Sequence, residues 1–221
     1  MDVLDEVLVA TDEEEVRAVV ERAGGRAVLT SPHHETGTER VAEVARRPEF
    51  EGYDVIVNLQ GDEPFLAAEA VRGAVGRVRA GDDVGSAAAP LPPEAASDPA
   101  RVKVVTDERG RALYFSRALI PFVRQNGAAG VARGGAPPNG LYWQHLGVYA
   151  YARSALRRWV ELPAVPLERA ERLEQLRALY HGLTIGIARL DGQAAPGIDT
   201  PEDLRRAETL WQATHGEGGN R

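Results

Sequence analysis

The stretch that most constrains this chain is Asp54-Val55-Ile56-Val57-Asn58-Leu59, which stops abruptly at Gln60-Gly61-Asp62-Glu63-Pro64. A continuous apolar run with β-branched residues suits a parallel strand covered on both faces. The preceding segments fit that reading. Val7–Ala10 and Ala27–Thr30 are short strand candidates. Between them Thr11 and Glu14 have capping-box spacing, Val16, Val19 and Val20 mark one helical face, and Gly24-Gly25 is a stop. After the loop Ser31–Gly37, Val41, Val44 and Ala45 predict a second helix, and a third is expected from Ala67 to about Arg79. The alternation predicts an α/β fold with a Rossmann-like, mostly parallel sheet flanked by helices.

The middle of the chain differs. Arg101–Thr106 and Ala112–Phe115 flank Asp107-Glu108-Arg109-Gly110 and read as a β-hairpin excursion. Gln125–Gly140 is rich in Gly, Ala and Pro and reads as a mobile loop. Gln144–Tyr151 is a strand candidate. Leu167, Ala170, Leu173, Leu176 and Leu179 keep helical spacing up to Gly182 and predict one long helix. A last strand, Thr184–Leu190, precedes Gly197-Ile198-Asp199-Thr200-Pro201, where Thr200 and Asp203 resemble a capping box and Pro201 suits the first turn. There is no internal repeat, and residues 1–221 read as a single domain.

Composition removes several functions. The formal net charge is -7, which argues against a nucleic-acid partner. There is no cysteine, so thiolate chemistry and disulfides are excluded. No apolar run approaches the roughly 18 residues of a membrane span. The first residues, Met1-Asp2-Val3-Leu4-Asp5-Glu6, are acidic where a signal peptide is basic, so a cytoplasmic location is expected.

In doubly wound sheets, ligands sit beyond the carboxyl ends of the strands. Asp62 lies just past the strongest strand, and Asp199 lies between a strand and a helix start. Together they could clamp one Mg²⁺ over a triphosphate, since that ion takes one or two carboxylates plus phosphate oxygens. Each also has a plain reading, a turn carboxylate and a helix-terminus acid. Gly37-Thr38-Glu39-Arg40 suits hydrogen bonding to a base or phosphate, or simple helix capping. His33-His34 reads as an exposed pair, and His145 as a satisfied core histidine. Gln175 lies near the apolar face of its helix and needs a polar partner if buried.

Taken together these segments resemble the 3-deoxy-manno-octulosonate (Kdo) cytidylyltransferases. The resemblance is carried by Val9-Ala10-Thr11-Asp12, Gly37-Thr38-Glu39-Arg40 and Val57–Pro64. It continues through Val102-Lys103-Val104-Val105, Leu113–Ala118, His145-Leu146-Gly147-Val148-Tyr149, Leu173-Glu174-Gln175-Leu176-Arg177 and Gly197–Leu204. It spans about Glu6 to Glu208. The resemblance implies an enzyme that joins CMP from CTP to Kdo, releases pyrophosphate, serves lipopolysaccharide biosynthesis and forms a homodimer through the region about 101–150. It implies that Asp62 and Asp199 hold Mg²⁺ and are catalytic, and that Gly37 and Thr38 lie by the cytidine. Gln60, His145, Tyr149, Glu174 and Gln175 would line the sugar pocket.

Thr36 stands where that family commonly has Ser, and Ala152-Arg153 departs from the usual order, so Arg153 receives no role. By the family pattern, about 35 further residues would precede this start, with a first strand and a basic phosphate loop. On that basis the chain as written is expected to be poorly soluble or inactive with CTP. Two alternatives stand beside this reading: another sugar-acid cytidylyltransferase, such as one for sialic acid, and a non-catalytic remnant that binds sugar without CTP.

Overall fold

A computed structural model describes residues 2–124, 140–198 and 200–215. The chain opens with the expected alternation: β1 (Val9–Thr11), α1 (Glu14–Arg22), β2 (Ala27–Leu29) and α2 (Gly37–Ala45). β1 and β2 pair in parallel, Val9 opposite Ala27 and Thr11 opposite Leu29. Gly24 takes φ 80° just past α1, the left-handed stop that its sequence predicts. The capping box expected at Thr11 and Glu14 does not form. Thr11 is still strand, and its hydroxyl accepts from the Glu13 N–H at 3.1 Å, so α1 starts without a side-chain cap.

Then come β3 (Val55–Leu59), α3 (Ala68–Arg79), β4 (Val84–Pro90), β5 (Lys103–Thr106), β6 (Ala112–Ser116) and β7 (Trp143–Ala152). The chain continues through α4 (Arg153–Glu161), α5 (Pro166–Glu171), α6 (Gln175–Tyr180), β8 (Ile185–Arg189) and α7 (Pro201–His215). Most of the expected Gln125–Gly140 loop, up to Asn139, lies outside the described residues. The Thr200–Asp203 capping box forms reciprocally: Thr200 N–H donates to Asp203 at 3.0 Å, and Asp203 N–H to Thr200 Oγ1 at 3.2 Å.

β3 to β8 form one sheet in the order β6-β5-β7-β4-β8, with β3 also paired to β7. β3, β4, β5 and β8 run one way, and β6 and β7 run the other. The sheet is therefore mixed, and the antiparallel β7 is its spine. One edge of β7 is taken along its length by β4. The other edge is shared: β5 pairs at Gln144, and β3 pairs from Val148 to Ala152. Between those pairings the edge forks at His145, Leu146 and Gly147.

Alternation along β7 sends side chains to two layers. Leu146, Val148 and Ala150 meet Ala70, Val71, Ala74 and Val75 of α3. Tyr149 and Tyr151 meet Leu156 and Trp159 of α4 and Leu176 of α6. The α3 contact is very close. A Cβ built at Gly85 of β4 would lie 1.8 Å from the Ala74 carbonyl oxygen, and one at Gly73 would lie 2.5 Å from the Ala188 Cβ.

The single long helix expected over 167–179 is instead two. Arg172 adopts φ 52°, and the chain turns between α5 and α6. The break is held by Glu168, which accepts from Arg177 Nε at 2.9 Å and from Arg177 Nη2 at 2.6 Å. It puts Glu174 and Gln175 at the start of α6.

Two basic side chains act as internal clamps. Lys103 is 0% exposed and donates to the carbonyls of Asp98, Arg101 and Arg117 at 2.9, 2.5 and 2.6 Å. Arg153 donates to the carbonyls of Tyr53, Ala45 and Phe50. It thereby satisfies the carbonyl of Ala45, the last residue of α2, one of the groups that a helix leaves without partners.

Candidate functional site

The carboxyl end of β3 meets the fork of β7. Leu59 pairs with Val148, so Gln60 arrives beside Gly147. A Cβ on Gly147 would sit 3.4 Å from Gln60 Oε1 and 3.3 Å from Glu63 Oε1, so glycine there admits the Gln60 side chain. His145 and Tyr149 flank that glycine, with their rings 5.3 Å apart. Tyr149 stacks on Tyr151 at 6.0 Å and 16°. Burial pushes both tyrosine hydroxyls above their ordinary pKa, with the carboxylate of Glu174 adding to it.

Glu174 closes the ring of polar groups. Burial raises its pKa, while hydrogen bonds with Thr36 and Thr38 oppose that rise. Thr36 is also the N-cap of α2, accepting from Glu39 N–H at 3.2 Å. Thr38 is 3% exposed, and its hydroxyl lies 3.1 Å from that of Tyr151. Tyr151 also bonds Asn58, whose amide nitrogen lies 3.5 Å from the position of a Cβ on Gly37. Gly37 and Thr38 thus stand at the α2 N-terminus directly over β3. The structure brings together Gln60, His145, Tyr149, Glu174, Gly37 and Thr38. Gln175 is 4% exposed at the start of α6, and among the described residues it bonds none of them.

Asp199 lies outside the described residues. Its neighbour Ile198 donates its N–H to the Asp62 carbonyl at 2.8 Å. The two loops expected to supply carboxylates are therefore tied together, and the Asp62 residue is exposed. The Asp62 carboxylate, on an exposed residue, is the kind of oxygen donor that suits a hard divalent cation that also binds phosphate.

Asn58, Tyr151 and Ser86 also belong to this network and have no site role in the sequence reading; Thr36, which enters that reading only as a departure from the family's usual Ser, joins them. Asn58 had a signal, as a polar residue inside an otherwise apolar strand. His34 also differs from expectation. It is partly buried, with Nε2 2.6 Å from Glu43.

Glu43 of α2 pins the loop that leads to Thr36. It accepts from Ser31 N–H at 2.8 Å, from His34 and from Arg47. Those bonds, Ser31 first, hold its pKa down to about 2 against burial. A folded-state pKa below the unfolded value gives stability that is present above about pH 4.5 and lost as pH falls through about 2. Glu43→Gln should cost about 1 kcal/mol at pH 7, with partial exposure taken into account, and should flatten the acid limb. Urea unfolding of both proteins from pH 7 to pH 2 checks this; parallel losses below pH 4.5 would remove Glu43 as the cause.

The sheet, with the α2 N-terminus and the polar fork at one end of it, is that of a nucleotidyltransferase. At the level of fold alone, the chain is similar to 4-diphosphocytidyl-2C-methyl-D-erythritol synthase from Anaerococcus prevotii, with TM-score 0.54 and 15% identity over 95% of this chain and 82% of that one. The chain belongs to the cytidylyltransferase family, whose family model matches residues 1–185. It is 50% identical to a 3-deoxy-manno-octulosonate cytidylyltransferase from Gemmatimonas aurantiaca over 96% of this chain and 80% of that protein. The corresponding protein of Methylococcus capsulatus is 49% identical over 91% of this chain and 79% of its own length. The solved structure of a CMP:2-keto-3-deoxy-manno-octonic acid synthetase complexed with CTP matches at TM-score 0.83 and 35% identity, over 96% of this chain and 82% of that one. Among the described residues no helix is long and apolar enough to cross a membrane.

Proposed function

We propose that this chain transfers CMP from CTP to the anomeric hydroxyl of Kdo and releases pyrophosphate. The observation that carries the reading is the bond from Ile198 to Asp62, which draws the 197–198 segment against the end of β3 and beside the polar fork. Asp62 and Asp199 would hold Mg²⁺, and that ion would offset charge on the phosphates and on departing pyrophosphate. The residues of the chain supply the rest. The α2 N-terminus, with Gly37 and Thr38, faces the nucleotide with unpaired backbone N–H groups. Gln60, His145, Tyr149, Glu174 and Gln175 bind the polyhydroxy acid and orient its hydroxyl for in-line attack on the α-phosphorus. The β5–β6 hairpin and the start of β7, within the region about 101–150, would contribute to a homodimer in the cytoplasm.

The test is pyrophosphate release from CTP with Kdo and with sialic acid, side by side. Kdo should be the better substrate by at least about tenfold, since a site built from several hydrogen-bonding groups penalises a mismatched polyol. Preference for sialic acid would overturn the sugar assignment.

A further inference from the structure

Ser86 is 0% exposed in β4 and lies under the fork of β7. The β4–β7 register slips between Ser86 and Ala87: Ser86 faces Tyr149, but Ala87 faces Leu146. Two extra residues of β7 are accommodated there, and Ser86 spans the irregularity. Its hydroxyl oxygen is 2.8 Å from the Val148 carbonyl oxygen and 2.9 Å from His145 Nε2.

The two contacts settle where the protons are. A carbonyl oxygen has none, so the one hydroxyl proton of Ser86 goes to Val148. The serine oxygen must then accept from His145, which makes Nε2 the protonated nitrogen. Nδ1 is left with a bare lone pair, and among the described residues nothing bonds it. The ring cannot rotate freely to escape this. Phe115 holds it edge-on at 4.9 Å and 78°, and Tyr149 packs on it at 5.3 Å. The residue as a whole is half-buried. Burial nonetheless lowers its pKa to about 3, so it is neutral at neutral pH.

We propose that Ser86 is a positioning residue that fixes His145 as the Nε2–H tautomer, so that Nδ1 serves as an obligate acceptor for a donor group of the sugar. This rests on the functional reading above and adds to it a rule of recognition. Position 145 takes an O–H or N–H donor of the substrate and repels its carboxylate. The sugar's acid group must therefore lie elsewhere in the cleft. Ser86 touches no substrate and acts only through the imidazole.

The first measurement needs no turnover. Nitrogen-15 shifts of the His145 ring, identified by its loss in His145→Gln, should show a protonated Nε2 and a bare Nδ1 at pH 7. A protonated Nδ1 or an imidazolium overturns the proposal. The second measurement is kinetic. Ser86→Ala should raise KM for Kdo about tenfold, the worth of one misdirected hydrogen bond, and leave KM for CTP within about twofold. Ser86→Thr, which keeps the hydroxyl, should recover most of the loss. Equal effects on both substrates, or an unchanged tautomer in Ser86→Ala, would count against the positioning role. If the unaltered chain proved inactive toward Kdo, the functional reading would fall, and the tautomer would still stand or fall on the spectrum.

Discussion

Asp62→Asn should reduce CMP transfer by about a thousandfold or more, without changing the thermal midpoint. The residue is exposed, so no buried charge is disturbed. The junction with the 197–198 segment uses the Asp62 carbonyl, not the carboxylate, so the asparagine variant keeps it. Only the negative charge that would hold a divalent cation is lost. Removing such a charge from a phosphoryl-transfer site leaves developing negative charge without its counter-ion, a loss of several kcal/mol in the transition state. Pyrophosphate release measured alongside thermal unfolding checks both halves. Near-normal CMP-Kdo formation by Asp62→Asn would end the metal role.

Gly85→Ala should destabilise the fold by about 3 kcal/mol or more, with activity lost through unfolding. The new Cβ would fall 1.8 Å from the Ala74 carbonyl oxygen, which belongs to the backbone of α3 and cannot rotate away. The helix would have to lift off β4, opening the layer where Ala70, Val71 and Ala74 are nearly inaccessible. Gly76→Ala, on the same helix but with nothing within 4 Å of its Cβ, is the control. It should be neutral or stabilise by about 0.5–1 kcal/mol, because alanine is the better helix former. Denaturant midpoints of the two variants decide the matter. Equal stability would mean that α3 does not approach β4 this closely.

Gly85 also shows where sequence reading ran out. β3 announced itself through Val55, Ile56 and Val57, whose branched side chains favour strand and mark a covered face. β4 is Val-Gly-Ser-Ala-Ala-Ala-Pro, and no strand was expected there. Alanine and glycine have poor strand propensity; the segment is strand because only small residues fit beneath α3. The break at Arg172 was hidden for a similar reason. Leucines at helical spacing run straight through it, and the turn is fixed by the distant Glu168–Arg177 pair. Within the site, Gln60, Tyr149 and Glu174 could be named from motifs. Their connections could not, because Thr38 reaches Tyr151 and Ser86 reaches His145 across 113 and 59 residues of chain. Arg153, given no role from its sequence, proves to be a clamp on three carbonyls.

Lys103 is the only lysine in the sequence. Its amine is enclosed by the three carbonyls that join the 98–101 segment, β5 and the residue after β6. An acylating reagent, or a protease that cuts after lysine, finds this side chain only when that junction opens. Each covalent event at a lysine side chain therefore records one opening of one place, with no background from any other lysine. The packing that satisfies the buried ammonium has given the protein a single-site gauge of its own local breathing.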